Sequence, residues 1–144
     1  MADSKNAVGI AKQYFALLDA GSPALLDLLT EDVQIYFPKF GIGRGKQAFA
    51  EALTGLAGAI QSVEHPAESF VYIQQAERLA VEGRTRGVLK SGARWAGGET
   101  PGGRFCNVFE FRGDRISRVH IYLDPDYAGE DRDRFLWGFE GRAW

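Results

Sequence analysis

A chain of 144 residues and 15.9 kDa, 45% hydrophobic and 25% charged, is one ordinary globular domain, large enough to bury about two-thirds of its unfolded surface. Its net charge of −2 and pI near 5.7 give no general pull toward nucleic acid or anionic lipid, which leaves a small apolar molecule or a second copy of the chain as the expected partner. The single cysteine, Cys106, excludes an internal disulfide; with a polar start at residues 1–7 and no run of 18 apolar residues, the expectation is a cytoplasmic protein without a membrane span.

Ser4 or Asp3 is placed to cap a first helix in which Ala7, Ile10, Ala11, Tyr14, Leu17 and Leu18 recur at three- and four-residue spacing, ending at Gly21. Ser22 and Pro23 restart a helix that carries Leu25, Leu26, Leu28 and Leu29 until residues 30–32 break it. Residues 33–37 read as a short strand stopped by Pro38, Gly41, Gly43 and Gly45 as a loop, and residues 46–60 as a third helix through Phe49, Leu53, Leu56 and Ile60. The glycine loop matches neither the dinucleotide fingerprint nor the P-loop, so it reads as a turn and not as a phosphate cradle. Beyond residue 60 the period is two. Strands are expected at 69–75 and 78–89, a glycine-rich connection at 90–103, and a hairpin pairing 104–112 with 115–123 across Gly113 and Asp114. Helices first and an antiparallel meander after predict a single α+β domain over residues 1–144, helices packed on one face of a curved sheet. The tail from Tyr127 to Trp144 carries Phe135, Leu136, Trp137 and Phe139, more rings than a solvated segment needs, and is expected to dock as a lid or a dimer contact.

Alternation along residues 104–111 puts Phe105, Asn107, Phe109 and Phe111 on one side of a strand, one amide in a stripe of phenyl rings. A buried amide without partners costs about 1–3 kcal/mol, so either the protein or a ligand must supply them. Tyr14, on the apolar stripe of the first helix, is either a core tyrosine with a satisfied hydroxyl or a second neutral donor; together with Asn107 it could hold a carbonyl or enolate oxygen. Asp124 ends the last strand, where it caps a turn, holds an arginine such as Arg84 or Arg86, or moves a proton. His65 and His120 lie on different elements with no acidic cluster at ligand spacing, so neither metal nor other cofactor is expected. His120 shares strand parity with Tyr122 and is expected to face outward, as a solvated or interface histidine; outward Val108, Tyr122 and His120 together suggest a homodimer.

Tyr14 followed by Phe15-Ala16-Leu17-Leu18-Asp19-Ala20-Gly21, the stretch Leu29-Thr30-Glu31-Asp32-Val33 before a strand, and the final hairpin resemble the nuclear transport factor 2-like superfamily, and within it SnoaL-like and ketosteroid-isomerase-like proteins, over residues 5 to 125. The resemblance implies a cone-shaped curved antiparallel sheet, an α+β barrel, closed by N-terminal helices around an apolar pocket, commonly as a dimer. It puts Tyr14 and Asn107 at the oxyanion-hole positions of the isomerases, Asn107 standing where that family has aspartic acid, and Phe37 where it has the general base. The Asp-Arg-Asp set of limonene-type epoxide hydrolases falls near Gly83, Thr85 and Ile121 and is absent as well. The same registers turn Val81, Thr85, Val119, Ile121 and Leu123 inward, so that Phe37, Thr85, Phe105, Phe109, Val119, Ile121 and Leu123 would line the pocket, and Gly83 and Gly87 suggest a roomy or reshaped cavity. The functional expectation is a SnoaL-like protein taking a small carbonyl-type ligand, a cofactor-free isomerase, cyclase or hydrolase with Tyr14, Asn107 and Asp124 as its catalytic set; the alternative is a non-catalytic ligand-binding or interaction module.

Overall fold

The computed structural model describes residues 6–135, 141, 143 and 144. Helix α1 (Ala7–Asp19) turns Ala7, Ile10, Ala11, Tyr14 and Phe15 inward, the stripe its spacing requires, and gives way at Gly21, which takes the left-handed conformation at φ +63°. The caps expected at Asp3 and Ser4 lie outside the described residues. The restart at Ser22 is correct but its geometry is not α: Ser22 Oγ accepts from the Ala24 N–H, and Pro23–Leu28 is a six-residue 3-10 turn. It stops there because Leu29 already belongs to strand β1 (Leu29–Phe37), where Leu29, Val33, Ile35 and Phe37 go into the core. The glycine loop is corrected too. Gly41–Arg44 is strand β2, antiparallel to β1, and Gly43 is required there because a β-carbon would stand 2.9 Å from that of Ala48. Helix α2 (Gly45–Ala59) buries Phe49 and Ala52 and runs into β3 (Ile60–Glu64), a strand in the stretch between the expected helix and the strand at 69–75 to which the sequence assigns no element.

The remaining strands are β4 (Val71–Gln75), β5 (Arg78–Arg84), β6 (Arg86–Leu89), β7 (Arg94–Ala96), β8 (Arg104–Arg112) and β9 (Arg115–Leu123). They form a six-stranded sheet in the order β2-β1-β9-β8-β5-β4 and a three-stranded sheet in the order β3-β6-β7. The single strand expected over 78–89 breaks at Thr85. Its N–H donates to the Gly103 carbonyl at 2.7 Å and its carbonyl accepts from Gly97 at 2.8 Å, so the backbone leaves the large sheet there and enters the small one. The large sheet is antiparallel from β4 through β9, while β1 joins β9 in parallel. The architecture is therefore the expected α+β cone with a curved sheet, open rather than closed into a barrel.

Parity sorts the large sheet into two faces. One cross-strand row on the inner face reads Tyr72, Val81, Asn107, Ile121, and the next Leu79, Phe109, Val119, Ile35. Against these α1 and α2 set Tyr14, Phe15 and Phe49, fully or almost fully buried. Burying one such aromatic side chain stabilises the fold by roughly 1.5–3 kcal/mol, which is why the rings govern the core.

The two glycines expected to enlarge the cavity do the opposite. A β-carbon on Gly83 would meet Phe70 at 2.8 Å and Phe105 at 3.0 Å; one on Gly87 would meet the Ser62 carbonyl and the Trp95 ring. Each glycine admits a neighbour's ring. Trp95 in turn donates from Nε1 to Thr85 Oγ1 at 2.9 Å and stacks on Tyr127, 4.7 Å between centroids, so the tail is held at its first residue; Phe135 and Trp144, two of the rings expected to dock, are exposed, and Leu136, Trp137 and Phe139 lie outside the described residues. Gly87→Ala should therefore lower stability by about 1–3 kcal/mol, through forced displacement of the Trp95 ring and the Ser62 backbone, as read from urea unfolding midpoints. An unchanged midpoint would mean that this close approach is not there.

Candidate functional site

Strand β8 lays the floor of the buried aromatic cluster where the chamber is expected. Phe105, Asn107 and Phe109 alternate with Cys106 and Val108, and their exposures of 5%, 3% and 0% place all three inside. Helix α1 supplies the roof through Tyr14 and Phe15. Tyr14 meets Phe109 at 5.1 Å, Phe15 at 5.2 Å and Phe49 at 6.3 Å between ring centroids, all edge to face. That geometry puts positive ring edges against negative faces and fixes the ring. Its hydroxyl is different: fully buried, it has no hydrogen-bond partner among the described residues, and burial pushes its pKa well above the ordinary tyrosine value, so it stays a neutral donor.

Asn107 makes no side-chain hydrogen bond within the described residues either. Its amide is not one of the fully buried side-chain groups left without a partner among the described residues, which are the hydroxyls of Tyr14, Thr30 and Tyr72. Tyr72, two strands from Asn107 in the same inner row, lies beneath the Lys12 ammonium, 5.8 Å from the ring centre. The alternation of residues 69–75 carries that signal, because Tyr72 sits at an inner position between Phe70 and Gln74.

Among the pocket positions expected, Phe37, Phe105, Phe109, Val119 and Ile121 are buried in one core cluster and Leu123 packs against it. Thr85 is buried as well, but it is engaged by Trp95 and by the Gly103 carbonyl, at the seam between the sheets. Asp124 is not brought to the chamber. It is exposed, and its carboxylate accepts from the Asp126 N–H at 2.9 Å, a turn cap; the Arg86 it might have held pairs with Glu64 instead. Phe37 confirms by its identity that no carboxylate stands at the end of β1.

The ionisable pair at the chamber's rim went unread. Asp19, at the C-terminal end of α1, accepts from the His65 backbone N–H at 2.7 Å and lies 2.5 Å from His65 Nδ1. A carboxylate can only accept, so Nδ1 carries a proton, and in the neutral ring the lone pair is then on Nε2. The imidazole packs on Phe15 and Phe105, at 5.1 and 5.3 Å between centroids, its side chain 12% exposed. The two residues are 46 positions apart, and no local spacing signals the pair.

The outer face of the sheet holds a different set. His120 faces outward as its parity requires, yet it is 7% exposed rather than solvated, within hydrogen-bond distance of Gln34 (2.7 Å), Arg118 (3.0 Å) and the Tyr122 hydroxyl (3.3 Å). Burial, reinforced by the Arg118 charge, holds its pKa below the usual histidine value. A cleft of about 550 Å³ opens beside it, lined in part by Glu82, Arg84, Arg104, Cys106 and Tyr122. Burial and the Glu82 charge push the Cys106 thiol up, the wrong direction for a nucleophile. Among the described residues no group of three His, Cys, Asp or Glu side chains gathers as a metal site, and no helix is long and apolar enough to cross a membrane.

Comparison with known proteins agrees with this geometry. No curated protein matches. Solved structures do: an NTF2-like protein from Burkholderia xenovorans LB400 at 22% identity, covering 90% of this chain and 97% of that one, with a TM-score of 0.70. A candidate polyketide cyclase from Xanthomonas campestris pv. campestris has 20% identity, coverages of 84% and 92%, and a TM-score of 0.72. Another, from Pseudomonas putida KT2440, has 24%, 88%, 95% and 0.63. At these identities the structures share the fold. The family model for the SnoaL-like domain matches residues 11–119, from the first helix through the inner row of the last strand, and the chain belongs to the SnoaL-like domain family.

Proposed function

We propose that this protein binds a small apolar carbonyl compound inside the cone and polarises its oxygen with two neutral donors, the Tyr14 hydroxyl and the Asn107 amide, as a cofactor-free enzyme of the isomerase, cyclase or hydrolase kind. The observation that carries the reading is the Tyr14 hydroxyl, wholly buried and without a partner among the described residues, its ring packed on Phe109, the inward neighbour of the buried Asn107. An unmet donor in apolar surroundings is a standing cost in the free protein, and a carbonyl oxygen removes that cost. Structural neighbours described as candidate polyketide cyclases support the same class. A non-catalytic ligand-binding module is the second reading, favoured by Phe37 in the place of the isomerases' base and by the rings that fill the space above Gly83.

The donors generate a paired test with 2-tetralone, a bicyclic apolar ketone, titrated by NMR. Tyr14→Phe should leave the free protein as stable as the parent, or more stable by up to about 1 kcal/mol, because it deletes an unsatisfied hydroxyl, and should weaken ketone binding several-fold. Asn107→Leu should fold and weaken binding likewise. Unchanged affinity in both variants would sink the reading; unfolding of Asn107→Leu would make that residue structural.

We also propose a homodimer through the outer face. There Ile73, Ala80, Val108, His120, Tyr36 and Ile42 form one unbroken cross-strand row spanning all six strands, with Ile73 and Ile42 about 60% exposed. Light scattering should give about twice 15.9 kDa at micromolar concentration, and Ile73→Lys should shift the mass toward one copy. A monomeric parent protein would refute this.

A further inference from the structure

We infer that His65 is the proton-transferring base of this chamber and that Asp19 is its positioning residue. This rests on the carbonyl-binding reading above, which supplies the oxygen donors and lacks a base. Of the other positions, Asp124 is exposed and occupied as a turn cap, and Phe37 carries no ionisable group. His65 has the geometry of a general base. Asp19 accepts from Nδ1, so that in the neutral ring the lone pair is on Nε2, and Nε2 makes no hydrogen bond among the described residues. Its ring is immobilised on both sides, by the carboxylate at the Nδ1 edge and by the Phe15 and Phe105 rings. The Asp19 carboxylate also holds the His65 backbone N–H, so the loop carrying the imidazole is tied to the end of α1 at two points.

Its distance from the donors follows from β8. His65 packs on Phe105, and Tyr14 packs on Phe109; Asn107 lies between those two on the same face, about 7 Å from each along the strand. Phe15 touches all of His65, Phe105, Phe109 and Tyr14. Base and oxygen donors therefore border one aromatic cluster, and the ligand would enter between them by displacing its rings. With a carbonyl oxygen at Tyr14 and Asn107, Nε2 takes a proton from a carbon α to the carbonyl. The C–H electron pair becomes the enolate double bond, negative charge collects on the held oxygen, and the imidazolium returns the proton to the same or a conjugated carbon. No oxidant, metal or cofactor enters the balance.

The alternative is a clasp: Asp19 and His65 only pin the loop between β3 and β4 to α1. The experiment separates the two with 5-nitrobenzisoxazole, a probe that needs a base and an apolar slot but has no carbonyl. The base removes the ring C–H proton, the electron pair forms the nitrile, and the N–O bond breaks to a coloured phenoxide. The intact protein should accelerate this reaction over buffer. His65→Gln should lower kcat/KM at least tenfold, and Asp19→Asn, which keeps an acceptor oxygen for the His65 N–H, should lower kcat more than it raises KM. Added imidazole should restore activity to His65→Ala with its concentration. If His65→Gln does not fold, Asp19→Asn and the imidazole rescue decide. Variants that lose urea stability but react as fast as the intact protein make the pair a clasp, and absence of acceleration by the intact protein overturns the inference as well. Since the probe lacks a carbonyl, retained 2-tetralone binding alongside unchanged probe kinetics would remove the base and leave the oxygen-binding reading standing.

Discussion

The register of β8 between β5 and β9 is what the chamber depends on. Seven consecutive residues of β5 pair with β8 without interruption, from Arg78 opposite Glu110 to Arg84 opposite Arg104, and the hairpin to β9 holds the same parity as far as Glu110. Side chains alternate strictly along a strand, so a slip of one residue would carry Phe105, Asn107 and Phe109 to the outside and bring Cys106, Val108 and Glu110 in. Glu110 now holds Arg78 and Arg118 at the surface. Burying that carboxylate and exposing three residues of the core would cost far more than any local preference could offset, so one register is selected and with it the position of the only amide in the ring stripe.

That same register sets a tension between stability and function. Tyr14 and Tyr72 each bury a hydroxyl without a partner among the described residues, and each such group costs about 1–3 kcal/mol relative to a satisfied or apolar one. A net stability of roughly 5–15 kcal/mol for a domain of this kind leaves little room for idle donors of that number. Surrounding rings keep water from meeting the Tyr14 hydroxyl, so the cost is relieved only by something that enters with an acceptor. The edge-to-face contacts that hold Tyr14 make the donor rigid before any ligand arrives, which is the property that oxygen stabilisation requires.

The hairpin from Arg104 to Leu123 was fully legible because three local signals agree there: period two, aromatic and branched residues, and a Gly-Asp turn with Gly113 at φ +63°. The face of every β8 and β9 candidate followed from that alone. Elsewhere local and tertiary signals part company. Gly41 and Gly43 read as loop chemistry, but they are a strand, held by the backbone ladder of β1 and by a packing contact that tolerates no side chain. Thr85 looks like one more residue of a continuous strand until its two backbone bonds are seen to go to Gly97 and Gly103. His120 had its face assigned correctly and its solvation not, since Gln34, Arg118 and Tyr122 cover it, and Gln34 comes from a strand 86 positions away.

Glycine in a sheet is ambiguous in sequence for the same reason: it leaves space, and what takes the space is decided by another segment. At Gly83 the occupants are Phe70 and Phe105, and at Gly87 they are Trp95 and the Ser62 carbonyl. The consequence is chemical as well as steric. Had Gly83 left a void, the rim of the cone would be open to water at the place where His65 sits; filled by rings, it surrounds the imidazole with apolar faces on the side away from Asp19. A carboxylate on one edge and phenyl faces elsewhere leave a single direction for Nε2 to be reached. Gly83 thus shapes, through the Phe105 ring, the surroundings of a histidine 18 positions away.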